Sequence, residues 1–190
     1  RSSRSGQHCG PQPFYFFDRY SQDVAQTWQV LRSEFDTMLL NHAREKGADA
    51  HEQTAVKELV RADGKVVGVR AEDAAGNATE YRAPITLDCS GREAFAAIRN
   101  GWRVGDPMLH KVAVWTYYRG AKRDPGLDEG GTTVAFVPEK GWFWYIPLHD
   151  DVVSVGVVAE GKYLTRDGVK DPEQIFKREI ERNLWIKDHL

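Results

Sequence analysis

The chain has 190 residues, of which 41% are hydrophobic and 28% charged, and its formal net charge is −2. These values are typical of a globular protein whose core needs no disulfide or structural metal, and they exclude collagen-like, disordered and disulfide-scaffold classes. A nearly neutral charge without a long run of Lys or Arg argues against nucleic acid as a partner. No apolar run approaches the roughly 20 residues that span a bilayer, and no signal-peptide pattern opens the chain. We therefore expect no transmembrane segment and a cytoplasmic location.

Metal and thiol chemistry finds little support in the sequence. Cys9 and Cys89 are too few for the paired ligands of a structural zinc site, so we expect two free thiols. The six histidines show no H-x-x-x-H or H-E-x-x-H spacing, which argues against a bound metal. Ser90 lacks the flanking glycine of a nucleophile elbow, and this leaves hydrolase chemistry a remote option.

Early in the chain, a short strand is predicted to lead into a helix. Residues 27–31 alternate between polar and apolar side chains as a short buried strand does. Ser33 is a suitable N-cap for a helix over residues 34–46, and Gly47 is suited to end it.

The period of the apolar residues then changes to two, which predicts a β-meander. Residues 54–61 and 65–72 flank Asp63-Gly64, a dipeptide that favours a tight hairpin turn. A third strand at 79–82 follows, and the apolar run 85–87 is predicted to return to a central strand.

The second half predicts an antiparallel sheet and a final helix. Four strand-like runs follow one another closely, at residues 112–118, 132–137, 142–148 and 152–159. Residues 149–151 form a short hairpin connection. Asp171 is a suitable N-cap and Pro172 a suitable first residue for the helix, whose apolar stripe is predicted to continue to Leu184. The fold class is therefore α/β, in the form of an α+β fragment with at least one packed sheet.

The third of these runs carries four consecutive aromatic residues. Alternation along a strand sends Trp142 and Trp144 to one face and Phe143 and Tyr145 to the other. Pro147 removes a hydrogen-bond donor, so the strand ends, bulges or lies at an edge there. Two interpretations remain open: a core strand between two packed layers, or a strand whose two indoles line a cavity for a planar ligand.

Trp142-x-Trp144-x-Ile146-Pro147 resembles the W-x-W-x-I-P signature of flavin-dependent halogenases, which belong with flavin monooxygenases and geranylgeranyl reductases in a broader group. Two weaker matches precede it in the order that these flavoproteins show. Residues 30–36 resemble their V-x-R-x-x-F-D stretch, and residues 88–92 resemble their D-[AC]-S-G-R turn. Together the three motifs cover about residues 14–160 of this chain.

The resemblance implies an internal fragment, the central part of an FAD-binding fold joined to an antiparallel substrate-binding sheet. Residues 1–106 would be the middle portion of the FAD-binding domain. Residues 107–190 would be the substrate-binding region with its C-terminal helix. The G-x-G-x-x-G phosphate loop of the family is absent from these 190 residues. The resemblance places the family's late G-D motif after residue 190.

Three residues of the weaker motifs are candidates for binding FAD. Arg32 precedes a predicted helix N-terminus, and both groups attract an anion such as a pyrophosphate, although an ion pair with Glu34 or Asp36 is an equal alternative. Asp88 suits either a ribose hydroxyl or the ordering of its own turn. Gly91 permits close approach of the backbone to a ligand.

As implied by the resemblance, reduced FAD and dioxygen oxidise chloride or bromide, and the product reaches a small organic substrate beside a lysine. Trp142, Trp144, Ile146 and Pro147 would line the substrate tunnel, where the indoles keep the substrate from the flavin. A separate flavin reductase would supply reduced FAD. No catalytic residue can be named within this chain.

Other functions remain open at this point. A flavin monooxygenase or a geranylgeranyl-reductase-like enzyme would share the motifs but not the halide. A noncatalytic module whose aromatic sheet binds a ligand or a partner protein is the alternative outside enzymes. In every case we expect the isolated chain to bind FAD weakly and to be inactive.

Overall fold

The computed structural model describes residues 14–25, 27–137 and 141–190, which divide into two compact units. One unit combines the described residues up to Asp36 with Leu109–Leu190, and the other holds Thr37–Met108. A 14-residue helix, α1 (Arg32–Glu45), runs across the boundary in the chain. Within the described parts of the chain, no helix has the length and apolar character needed to cross a bilayer.

The Thr37–Met108 unit is built on a three-stranded antiparallel sheet in the order β1-β2-β3. The strands are β1 (Ala55–Ala62), β2 (Lys65–Glu72) and β3 (Ala78–Arg82). Asp63 and Gly64 both take positive φ angles, 49° and 76°, in the turn between β1 and β2. The predicted β-meander is therefore confirmed. A five-residue helix, α2 (Phe95–Arg99), follows it in the chain.

The other unit contains a four-stranded antiparallel sheet in the order β4-β7-β6-β5. The strands are β4 (Lys111–Arg119), β5 (Thr133–Val137), β6 (Gly141–Pro147) and β7 (Val152–Glu160). All four agree with the predicted runs to within one residue. The positions of β4 and β5 at the two edges could not be read from the chain order alone.

Three short helices cover one face of this sheet. They are α3 (Gly161–Leu164), α4 (Pro172–Arg182) and α5 (Leu184–His189). The core between the two layers is formed by Phe143, Val153, Val155, Val157, Ile175, Phe176 and Ile186. The Asp171 carboxylate caps α4 by accepting a hydrogen bond from the backbone N–H of Gln174 at 2.8 Å, as its position predicts.

Two details of the predicted helices are wrong. α1 begins at Arg32 and contains Ser33, because the Leu31 carbonyl already accepts from the N–H groups of Glu34 and Phe35. Ser33 therefore lies inside the first turn of α1 and is not its N-cap. The apolar stripe of α4 also stops short of Leu184, which is 66% exposed, because Asn183 begins a separate helix.

Two predicted strands are absent from the described residues. Residues 27–31 and 85–87 are not paired in either sheet. Trp28 is 90% exposed and Leu87 is 80% exposed, so neither segment is buried in its own unit. Alternation in sequence indicates which side chains a strand would bury, but a strand also needs a neighbour to pair with. Neither described sheet provides that neighbour.

Candidate functional site

Strand β6 presents the tryptophans of its motif on the face that the helices do not cover. Phe143 is fully buried and Tyr145 is 2% exposed on the helix side, whereas Trp142 is 40% exposed. Trp144 lies on the side of Trp142 and is partly buried. The predicted separation of the two indoles from Phe143 and Tyr145 is therefore confirmed. Within the described residues of this unit, only the Phe143 and Tyr145 side of β6 is covered by another layer.

The register of the sheet places other large side chains beside the two indoles. Trp144 pairs with Val134 on one side and Gly156 on the other, and Trp115 lies across from Gly156 on the next strand. We call the large side chains that share this side of the sheet the aromatic face: Trp115, Tyr117, Val134, Phe136, Trp142 and Trp144. All except Trp144 are exposed. A contiguous apolar patch of this kind marks a binding surface more often than an inert one.

The Trp144 indole lies across β7. A Cβ atom at Gly156 would stand 2.2 Å from Trp144 Cζ2 and 2.4 Å from Cη2, so the six-membered ring occupies the space above this glycine. On the same edge of the indole as Cζ2, Nε1 donates to Ser154 Oγ at 3.2 Å. Contacts with two residues of the neighbouring strand therefore fix where this ring lies.

Behind the sheet, Tyr145 holds β6 to the loop after β4 and to α5. Its hydroxyl donates to the carbonyl oxygen of Lys122 at 2.6 Å, and its ring meets Trp185 edge to face with centroids 5.2 Å apart. Burial raises the pKa of Tyr145 to about 12. His189 is also buried here, with one ring nitrogen 2.8 Å from the carbonyl oxygen of Trp185. These contacts hold the motif strand from the covered side.

The buried carboxylate of Glu179 links α4 to α3 and to the segment that follows α3. Glu179 is 1% exposed and accepts from Arg178 Nε at 2.9 Å and from the Tyr163 hydroxyl at 3.0 Å. Arg166 Nη2 is 2.6 Å from Glu179 Oε1, but this contact is an ion pair without hydrogen-bond geometry. Desolvation and the hydrogen bond to Glu179 together raise the pKa of Tyr163. We call these four side chains the Glu179 cluster.

The motif strand ends at Pro147, as a residue without an N–H donor predicts. Asp150 and Asp151 follow in the hairpin to β7, with φ angles of 55° and 56°. The Asp151 carboxylate accepts from the backbone N–H of Gly120 at 2.9 Å, which joins the hairpin to the end of β4. The predicted short connection at residues 149–151 is thus confirmed.

Asp88 orders its own turn in the Thr37–Met108 unit. One carboxylate oxygen accepts from the N–H of Ser90 at 3.0 Å, and the other accepts from the N–H of Ala96 at 2.7 Å, in the first turn of α2. Hydrogen bonds from Ser90 and Ala96 lower the pKa of Asp88. Of the two roles open to Asp88, turn ordering is thus observed, whereas the contact with ribose stays a prediction. Gly91 has a φ of 60°, and a Cβ there would meet no atom within 4 Å.

Arg32 forms a local ion pair at the start of α1. Its Nε and Nη2 lie 3.0 and 2.9 Å from the two carboxylate oxygens of Asp36. The side chain is 75% exposed, so it lies in solvent within its unit. The alternative of an ion pair with Asp36 is therefore observed, and the contact with a pyrophosphate stays a prediction.

Within the described residues, no group of three or more His, Cys, Asp or Glu side chains could hold a metal ion. Cys89 is a free, exposed thiol as expected. Cys9 lies outside the described residues.

Several members of the aromatic face were not found by sequence reasoning. Trp115 and Tyr117 carry a signal, because a W-x-Y pair within a strand points both rings to one side. Gly156 carries another, since a glycine inside a strand commonly marks a close approach. The order of the strands in the sheet, which joins these signals to Trp142 and Trp144, is the information that the sequence lacks.

Comparison with known proteins shows a likeness to halogenases. The family model for tryptophan halogenase matches residues 15–181. The flavin-dependent halogenase armH4 of Armillaria mellea is 38% identical over 151 residues, which cover 74% of this chain and 28% of that protein. A 1H-pyrrole-2-carbonyl-(peptidyl-carrier protein) brominase of Pseudoalteromonas luteoviolacea is 34% identical over 162 residues, covering 83% of this chain and 39% of that protein.

A solved structure shows the same architecture. The myxobacterial chondrochloren halogenase CndH, a variant of FAD-dependent halogenases, has a TM-score of 0.75 and 31% identity, covering 90% of this chain and 39% of that one. This likeness confirms the predicted combination of helices with an antiparallel sheet. The chain spans well under half of the length of each of these three relatives.

Proposed function

Because the chain belongs to the tryptophan halogenase family, we propose that it forms part of an FAD-dependent oxidoreductase that halogenates or oxidises a small organic substrate. The single observation that carries this proposal is the aromatic face, where both indoles of the W-x-W-x-I-P motif lie on the side of the sheet that the helices leave open. A surface of indoles suits planar ligands, because aromatic rings gain from offset and edge-to-face contacts beyond the burial of their area.

The candidate residues fit parts of FAD one by one. Gly91 offers backbone without a side chain and with open space around it. Each Asp88 oxygen keeps a lone pair after its turn bonds, which a ribose hydroxyl can use. Arg32 is exposed and can exchange Asp36 for an anionic part of the cofactor. Bound in its reduced form, FAD would supply the electrons that reduce dioxygen.

In this proposal the motif strand forms a steric wall between the substrate and the flavin. Trp142 and Trp144 present bulky rings to the open side, and Ile146 extends the same apolar surface. The strand ends at Pro147, and the wall therefore ends there too. Such a wall separates the substrate from the flavin, which favours attack by an oxidised halide over direct transfer of oxygen.

The substrate class follows from the same surface. None of the six side chains of the aromatic face is charged, so we propose a small aromatic or otherwise electron-rich molecule together with chloride or bromide. The relative from Pseudoalteromonas luteoviolacea is a brominase whose pyrrole is joined to a carrier protein. A carrier-bound ring is accordingly one of the substrate forms to be tested, and a flavin reductase is the partner that supplies reduced FAD.

The test uses the intact protein with FAD, NADH, a flavin reductase and dioxygen. Free and carrier-bound indoles, pyrroles and phenols are supplied with chloride, with bromide or without halide, and products are identified by mass spectrometry. We expect a product with the chlorine or bromine isotope pattern that requires both FAD and halide. A β-diketone added as a trap reports oxidised halide even where the panel lacks the natural substrate.

The outcomes separate the alternatives. A product that gains oxygen without halide would overturn halogenation in favour of a flavin monooxygenase, and reduction of a double bond would favour a reductase. An intact protein that retains no flavin, forms no product and still binds hydrophobic ligands would favour the noncatalytic module.

A further inference from the structure

Gly156 lies in the middle of β7, directly beneath the Trp144 indole. A glycine weakens a strand and commonly marks a place where another group approaches closely. Here a Cβ would stand 2.2 Å from Trp144 Cζ2 and 2.6 Å from Trp115 Cβ. Both distances are far below van der Waals contact, so only a residue without a side chain admits the indole in this position.

Ser154 makes the second contact with the same ring. It lies two residues before Gly156 on the same side of β7, and its Oγ accepts from Trp144 Nε1 at 3.2 Å. An indole has a single N–H donor, so this bond determines which edge of the ring points along β7.

We propose that Gly156 and Ser154 are positioning residues for Trp144. Gly156 admits the ring onto β7, Ser154 fixes its orientation, and together they set how much space remains above the aromatic face for a planar ring. With alanine at position 156, the indole would have to rise by about 1.5 Å to restore van der Waals contact, and it would rise into that space. The role in the reaction rests on the proposed function, whereas the positioning itself does not.

The first experiment measures the indole directly in the 190-residue chain. The side-chain N–H signals of the six tryptophans are recorded by ¹⁵N NMR, and Trp144→Phe identifies the signal of Trp144. In Ser154→Ala we expect that signal to shift and its hydrogen exchange to become about fivefold faster, as loss of one hydrogen bond implies. Ser154→Thr keeps the hydroxyl and should restore slow exchange.

Two matched variants serve as controls for these signals. Thr116→Val removes an exposed hydroxyl from the neighbouring strand β4 and should leave the Trp144 signal in place. Gly156→Ala should move the signals of both Trp144 and Trp115, whereas Gly130→Ala should not, because a Cβ at Gly130 meets no atom within 4 Å. If Gly156→Ala fails to fold, the Ser154 variants decide the question. An unchanged Trp144 signal in Ser154→Ala would overturn the proposal.

The second experiment uses the intact, flavin-loaded protein. We expect Ser154→Ala to raise KM for the ring-bearing substrate about fivefold with a smaller change in kcat, and Ser154→Thr to restore KM. A purely structural role would lower stability and leave KM unchanged, so an unchanged KM beside a shifted Trp144 signal would overturn the role in the reaction. Lack of any flavin-dependent product in the unaltered protein would instead overturn the proposed function and leave the NMR result standing.

Discussion

Trp144 and Tyr145 are neighbours in the sequence, but their side chains meet different surroundings. Tyr145 is enclosed by Trp185 and by backbone carbonyl groups, and its hydroxyl is satisfied inside the protein. Trp144 faces the open side, and its N–H is satisfied by the adjacent strand. Changes at buried Tyr145 are therefore expected to affect the stability of the fold. Changes at the exposed indoles are expected to affect the reaction of the intact protein.

Replacing Tyr145 by Phe tests the first expectation. The change leaves the carbonyl of Lys122 without this donor and should lower the free energy of unfolding by about 1 kcal/mol, measured by urea denaturation. Tyr117→Phe, on the exposed face of the same sheet, should change it by less than about 0.5 kcal/mol. An equal loss in both variants would contradict the role of the Tyr145 hydrogen bond.

The same variant predicts a pH dependence. Because burial raises the pKa of Tyr145 from 10.0 to about 12, the folded state holds this proton more tightly than the unfolded chain. The stabilisation is complete below pH 10 and is lost as the pH rises from about 10 towards 12. Urea titrations across this window should show a steeper fall for the unaltered chain than for Tyr145→Phe, and parallel curves would rule out the raised pKa.

Replacing Trp142 by Ala tests the proposed wall. Removal of the more exposed indole opens the face, so in the intact protein we expect more transfer of oxygen to the substrate relative to halogenation. The ratio of oxygenated to halogenated product, measured by mass spectrometry, reports this change. Trp28→Ala, which removes an indole that is 90% exposed and outside the motif, is the control. A ratio that rises equally in both variants would argue against a specific wall.

At the scale of elements, the Glu179 cluster joins the segment after α3 to α4. Glu179→Gln keeps the shape but leaves the positive charges of Arg166 and Arg178 without their buried partner. Removal of one member of a fully buried ion pair costs about 3 to 5 kcal/mol, and because these arginines are partly exposed we expect about 2 to 4 kcal/mol in urea denaturation.

The matched control for this change is on the same helix. Glu181→Gln alters an exposed ion pair with Lys187 and should change the free energy of unfolding by less than about 1 kcal/mol. A small effect of both variants would mean that the Glu179 cluster contributes little to holding α4 against the sheet.

Elements whose determinants are local could be predicted from the sequence. The Asp63-Gly64 turn, the Asp171 cap and the end of β6 at Pro147 depend on the conformation or hydrogen bonds of a few adjacent residues. Residues 27–31 and 85–87 were wrong as strands because pairing depends on a neighbour that is distant in sequence. Ser33 was wrong as a cap because the helix begins one residue earlier, at Arg32.

At the scale of the whole molecule, only part of the candidate site could be predicted from the sequence. The motif placed Trp142 and Trp144 on one face, but Trp115 and Phe136 joined them through a strand order in which β4 and β5, consecutive in the chain, lie at opposite edges. Arg32, Asp88 and Gly91 remain predictions as cofactor residues, because their observed contacts are local.

The 190-residue chain alone should bind FAD weakly and form no halogenated product. It lacks a G-x-G-x-x-G sequence, and its candidate residues supply few of the contacts that a dinucleotide needs. Flavin retained after gel filtration, measured by absorbance against the intact protein, checks this expectation. A yellow chain with stoichiometric FAD would contradict it.

Three of the six tryptophans, Trp115, Trp142 and Trp144, lie on one side of one sheet. The fluorescence of these tryptophans therefore reports on the aromatic face. A bound ring that absorbs at the wavelength of tryptophan emission will quench the fluorescence of these three indoles together by energy transfer. Trp185, on the covered side of the sheet, lies farther from such a ring. Occupancy can thus be followed by intrinsic fluorescence, without a label and before any substrate has been identified.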